Sequence, residues 1–148
     1  MKTYKGYFKP RNPQKYRGDP RNIIYRSSWE LKMMSYLDTH TGVLSWSSEE
    51  VVIPYRSPID GRLHRYFVDF LVTSINRDGM KETTLIEVKP AVQTRPPVLK
   101  EGKKTRSYVQ SVMTWGVNEA KWKAATEYCI DRGWAFKIFT EKELGINF

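Results

Sequence analysis

What this chain has little of narrows it first. A single cysteine, Cys129, excludes an intrachain disulfide, and nothing argues for an oxidising compartment. Only two histidines occur, His40 and His64, and their spacing is not that of a metal-binding pair. The expected places are a helix end for His40 and an exposed strand face for His64. No apolar stretch approaches the ~20 residues that span a bilayer, and the N-terminus lacks a signal-like apolar segment, so neither secretion nor membrane insertion is expected. Internal repeats and low-complexity segments are missing as well. Acid is scarce in one region: residues 1–26 hold eight Lys or Arg against Asp19 alone, which accounts for +7 of a total net charge of +9. A segment of that kind neutralises phosphates, or it binds an acidic protein or a membrane surface. Its Tyr4, Tyr7, Phe8 and Tyr16 suit stacking on bases between the cations, or packing on the globule.

What is there amounts to one domain. At 148 residues the chain is long enough to bury about two thirds of its unfolded surface around a single core. The division expected from charge is a basic N-terminal arm over residues 1–26 and a globular domain over 27–148. Ser27 or Ser28 starts a helix through Asp38, closed by Thr41-Gly42. Val43–Trp46 is a short extended piece, followed by a strand at about Glu50–Tyr55 in which Pro54 implies an edge or a bulge. Ser57–Gly61 turns the chain into a long strand over Leu63–Thr73. A helix over Arg106–Thr114 and a second one from Val117 or Asn118 to a stop at Gly133 come next. Trp134–Phe139 is the last strand, and Thr140-x-x-Glu143 caps a terminal turn.

Two of these apolar strands carry acids that packing does not ask for. Thr84-Leu85-Ile86-Glu87-Val88-Lys89-Pro90 has Glu87 and Lys89 two apart, hence on one face with Cα atoms roughly 7 Å apart. Tyr66–Val72 is interrupted by Asp69. A buried carboxylate without a compensating proton, cation or metal costs several kcal/mol. A partly buried ion pair with Lys89 answers this for either strand alone. Two such strands joined by a short turn instead gather two carboxylates and an ammonium, a set that suits a divalent cation held by oxygen. Glu30 has two readings. Ser27-x-x-Glu30 is a capping box, yet Glu30 lies on the stripe of Met33, Met34 and Leu37 and faces the body of the protein.

Asp69 followed by Glu87-Val88-Lys89 resembles the PD-(D/E)XK nuclease signature, with Val68 where the signature has proline. The match continues in order through Ser28-Trp29-Glu30, Val51–Tyr55, Tyr66–Val72 and Ile86–Pro90, and over roughly residues 25–140 it resembles the TnsA-like N-terminal endonuclease domain. Size and basic N-terminus make the whole chain similar to the head completion proteins of T-even-type tailed bacteriophages. The resemblance implies an α/β, restriction-endonuclease-like core, a mixed sheet of about four strands flanked by helices. It implies a Mg²⁺-dependent (or Mn²⁺-dependent) DNA endonuclease in which Asp69 and Glu87 bind metal, the Val88 carbonyl is a further ligand, Glu30 binds or orients the metal water, and Lys89 positions or deprotonates that water. It implies DNA as partner, with head, portal or neck proteins of the particle beside it and no small-molecule substrate, and a place in the host cytoplasm or the virion. A structural head protein that binds DNA without cutting it, or a nuclease of transposition or recombination, fits the same composition.

The stretch after Lys89 is rich in proline and holds five cations against Glu101 alone. Arg95, Lys103, Lys104 and Arg106, with Arg26 at the end of the basic segment, are the cations expected to contact DNA, and a loop of this length is more often functional than idle. Register gives one further expectation. A two-residue Asp78-Gly79 turn sets Asp69 opposite Val88 and separates it from Glu87. A three-residue loop, Arg77-Asp78-Gly79, sets Asp69 directly across from Glu87, and Asn76 and Gly79 are the residues such a loop uses.

Overall fold

The computed structural model describes residues 5–99 and 105–145. Its centre is a four-stranded mixed sheet in the order β3-β6-β7-β8, with β1 to β8 numbered along the chain. Strands β3 (Val43–Ser48), β6 (Phe70–Ile75) and β7 (Lys81–Val88) run antiparallel, and β8 (Ala135–Phe139) joins β7 in parallel. The expected α/β core of four strands is present. A parallel neighbour needs a crossover, here α2 (Arg106–Arg132), which ends at Gly133 in the left-handed conformation that glycine adopts most readily. Two helices were expected over this span. They are one, because Gly116 in a helix interior costs only about 1 kcal/mol and the flanking turns pack on β4, β7 and β8.

Strand periodicity divides the core into two. Phe70, Val72, Ile86 and Val88 face α1 (Ser28–Thr39) with Met33, Met34 and Leu37, whereas Leu71 and Leu85 face α2 with Ala125 and Cys129. Cys129 is a free thiol buried in this second core. The short α3 (Glu141–Leu144) carries the capping box of Thr140 and Glu143.

The expected single strand from Leu63 to Thr73 is two strands. β5 (Leu63–Phe67) pairs with β4 (Val52–Arg56) in a separate ribbon, and β6 pairs with β3 in the main sheet. The chain changes partner at Val68-Asp69, where Val68 N–H donates to the Val51 carbonyl (3.1 Å) and Glu49 N–H to the Asp69 carbonyl (3.0 Å). The apolar alternation Tyr66, Val68, Phe70, Val72 runs through the break unaltered, but the first pair belongs to the α2 core and the second to the α1 core. Pro54 lies on a ribbon strand with a free edge, as a missing N–H requires.

The hairpin register is the one that sets the two acids face to face. Phe70 pairs with Ile86 and Ile75 with Lys81, and the loop closes through Asn76 N–H to Met80 O (2.8 Å) and Gly79 N–H to Asn76 O (3.0 Å). Gly79 has φ +78°, and the Asn76 side chain accepts from the N–H groups of Asp78 and Met80 at 2.9 and 3.0 Å. This is the three-residue Arg77-Asp78-Gly79 loop.

Residues 5–26 are not a separate arm. Gly6–Tyr7 (β1) pairs with Ile24–Tyr25 (β2), and Phe8, Tyr16 and Ile23 lie in the α1 core. The anchor is Asp38, 1% exposed. Its carboxylate accepts from the backbone N–H groups of Arg11 (2.8 Å) and Asn12 (3.0 Å), and its carbonyl from Asn12 Nδ2 and Lys15 Nζ. Asp38→Ala removes the charged acceptor from two part-buried hydrogen bonds, at about 1.5–3 kcal/mol each. Its urea midpoint is expected to fall, with early proteolysis within residues 5–26. Unchanged protection of that segment would show that Asp38 does not hold it.

Candidate active site

Three elements meet where the chain leaves the ribbon. Asp69 sits in the bend before β6, Glu87 one residue before the end of β7, and Glu30 in the first turn of α1. One residue past the last paired rung, Asp69 stands across from Glu87, and its Oδ2 accepts from Val88 N–H at 2.7 Å. One residue's N–H and C=O lie on the same edge of a strand, so the Val88 carbonyl is on the Asp69 side, as the ligand reading needs.

A fourth acid went unnoticed in the sequence. Carboxylate oxygens of Glu30, Glu49 and Asp69 all lie within 4.8 Å of one another. Glu49 follows β3 with φ 56°, the one non-glycine residue with positive φ among those described. Holding a non-glycine residue there costs of order 1–3 kcal/mol, the kind of strain that collects at functional sites. The signal was weak, since Glu49 belongs to no strand and Ser48-Glu49-Glu50 reads as an ordinary polar turn.

Glu87 is placed differently from the other acids. It is 6% exposed, and Tyr66 Oη donates a short hydrogen bond to its Oε2. Burial, then the Glu87 charge, raises the Tyr66 hydroxyl well above its ordinary range, so Tyr66 stays a donor. Burial also lifts Asp69 well above the usual carboxylate range. The charge and hydrogen bond of Glu87 add to this, and only the Val88 N–H pulls the other way. Glu30 is raised by burial and by Glu49, against the Ser27 hydroxyl and Arg26. The four acids therefore repel one another, and protons are what the protein itself supplies to relieve them.

Nearby cations are few. Arg26, expected to face DNA, hydrogen-bonds Glu49 with its side chain half exposed, and its charge also reaches Glu30 and Asp69. The Lys89 ammonium makes no ion pair among the described residues. Arg95 and Arg106 are in the stretch that follows the site, while Lys103 and Lys104 lie outside the described residues. Ser27 caps α1 by accepting from Glu30 N–H (3.2 Å), and the Glu30 carboxylate accepts from the Ser27 hydroxyl (3.2 Å), not from the backbone N–H of a full capping box, while lying in the acidic cluster. Hard oxygen donors at this spacing and short of cations, with Asp69 and Glu30 raised by burial and then by neighbouring carboxylates, fit a divalent metal ion. Glu30, Glu49 and Asp69 would hold it, with Glu87 beside Asp69.

Comparison with known proteins gives the same direction. Residues 40–141 match the family described as TnsA-like endonuclease N terminal. The chain is also 40% identical over 146 residues to the "Head completion nuclease" of Enterobacteria phage T4, covering 96% of this chain and 94% of that protein.

Proposed function

Because the chain belongs to the TnsA-like N-terminal endonuclease family, we propose that it is a metal-dependent DNA endonuclease of the PD-(D/E)XK type acting in phage head completion, in the host cytoplasm or the particle. The observation that carries this is the knot of Glu30, Glu49 and Asp69 with Glu87 against it. Mg²⁺ or Mn²⁺ bound there supplies a Lewis acid and a water of lowered pKa. Tyr66 fixes the Glu87 carboxylate, and Val88 N–H fixes that of Asp69. Lys89, without an ion pair among the described residues, orients the attacking water and offsets the charge that gathers on the phosphoryl oxygens. Water adds to phosphorus, the opposite P–O ester bond breaks, and the leaving oxygen takes a proton. Arg26 leaves Glu49 when a cation takes that carboxylate, and with Arg95, Arg106, Lys103 and Lys104 it neutralises phosphates. Proteins of the phage head, portal or neck are the partners that this setting provides.

Supercoiled plasmid incubated with the protein is expected to be nicked and linearised with Mg²⁺ and to stay intact with chelator. Binding without cutting in both tubes would leave a structural DNA-binding head protein instead. Glu30→Gln separates the two roles of that residue. The helix cap keeps its backbone half, so stability stays within about 0.5 kcal/mol, while cleavage falls by more than about tenfold as for disturbed metal sites. Full activity in Glu30→Gln would return Glu30 to capping alone.

A further inference from the structure

Between the turn Ala91–Thr94 that follows β7 and the first half of α2 lies a recess of about 380 Å³. Val92, Gln93, Arg95, Gln110, Trp115 and Asn118 line it. Asn118 is the informative residue. It is 7% exposed, yet no described residue offers its carboxamide a hydrogen bond. Its carboxamide atoms are not sealed from solvent, so water pairs them and a ligand entering the recess can take that place. Gln93 and Gln110 bring two more carboxamides to the same space, Trp115 is held edge-on against Trp122 at 5.9 Å between ring centres, and no acidic side chain among the described residues lines the cavity.

These groups describe their ligand. Carboxamides offer a donor and an acceptor side by side without charge, the complement of a nucleobase edge. An indole face stacks on any base, and Arg95 is the one cation among the described lining residues, suited to the phosphate that follows a base into a pocket. The position also fits, since the first residue of the lining, Val92, is three residues after Lys89. Asn118 lies one helical turn before Lys121, whose ammonium is 5.4 Å from the centre of the Tyr66 ring that holds Glu87.

We propose that this recess receives one unpaired or extruded DNA base next to the phosphate being cut, with Trp115 stacking on it and the amides of Asn118, Gln93 and Gln110 reading its edge. The proposal rests on the nuclease reading and deepens it. The substrate becomes DNA with a disrupted pair or a frayed end, where bringing a base out of the stack costs least.

The test uses two labelled duplexes, identical except that one carries a single unpaired adenine and the other an abasic site. Binding to the full-length protein is followed by fluorescence anisotropy in chelator, so that nothing is cut. The base-bearing duplex is expected to bind about tenfold more tightly, the size of one stacking contact. Asn118→Leu and Trp115→Ala are each expected to bring the two affinities to within about twofold of one another. Gln110→Ala, on the exposed side of α2, is expected to narrow the ratio in the same direction and serves where either core variant fails to fold. Equal binding of the two duplexes by the unaltered protein would overturn the proposal, as would full discrimination in the folded variants. Plasmid nicking reports separately: nicking without discrimination sinks the recess alone, and discrimination without nicking sinks the nuclease reading alone.

Discussion

Asp69→Asn is expected to abolish cleavage while making the protein harder to unfold. Asparagine keeps the shape and still accepts from Val88 N–H, and its amide can donate to the Glu87 carboxylate beside it. The charge that touches both Glu87 and the Glu30/Glu49 pair is gone. Loss of activity is expected to exceed the about 10- to 100-fold seen when only an outer partner of a metal ligand is removed. The gain in stability has a defined pH dependence. Asp69 is raised in the folded chain above the ordinary aspartate value of 3.8. Below that value both states hold the proton and the substitution changes nothing. As pH rises, the unfolded chain ionises first, and the penalty on folding grows until the folded pKa is passed. Melting in chelator should therefore favour Asp69→Asn at neutral pH, with the advantage vanishing towards pH 4. An Asn variant that melts lower at neutral pH would mean that the Asp69 charge is structural.

Glu49→Gly is expected to be equally inactive, and also more stable. Glu49 holds φ 56°, a conformation that costs a residue with a Cβ roughly 1–2 kcal/mol and glycine almost nothing. The ion pair lost with Arg26 is partly exposed on both sides and offsets little of that. A higher urea midpoint together with absent plasmid nicking is the expected pair of results. Undiminished nicking would remove Glu49 from the metal site and leave its strain without a function.

The hairpin was legible in the sequence because two independent constraints agreed. The chemistry needed Asp69 to face Glu87, and Asn76 with Gly79 permitted the loop length that achieves it. The Gly133 and Thr140 boundaries followed from periodicity and caps, whereas the four-stranded core was what the family resemblance implied. The break at Val68-Asp69 was hidden because both cores want an apolar residue at every second position. Hydropathy along Tyr66–Val72 is blind to which core each residue enters. Glu49 was hidden for a related reason: its role comes from the junction between two sheets, which no local pattern marks. The basic segment was read by its charge, but Phe8, Tyr16 and Ile23 bind it to the globule, and their spacing follows neither a helix nor a strand.

The α1 core contains Phe8 near one end of the chain and Leu144 near the other. Such a nucleus cannot be completed by any partial translation product. Until Leu144 has left the ribosome, the α1 face of the sheet lacks its last wall and β7 has an open edge where β8 belongs. Contacts of that sequence separation slow folding, and the growing chain passes through a stage in which its apolar interior is offered to solvent. Trimming at either terminus should act on yield and aggregation before it acts on chemistry. A C-terminal cut before Thr140 is the most damaging, since it takes away α3 and the cap that seats Leu144.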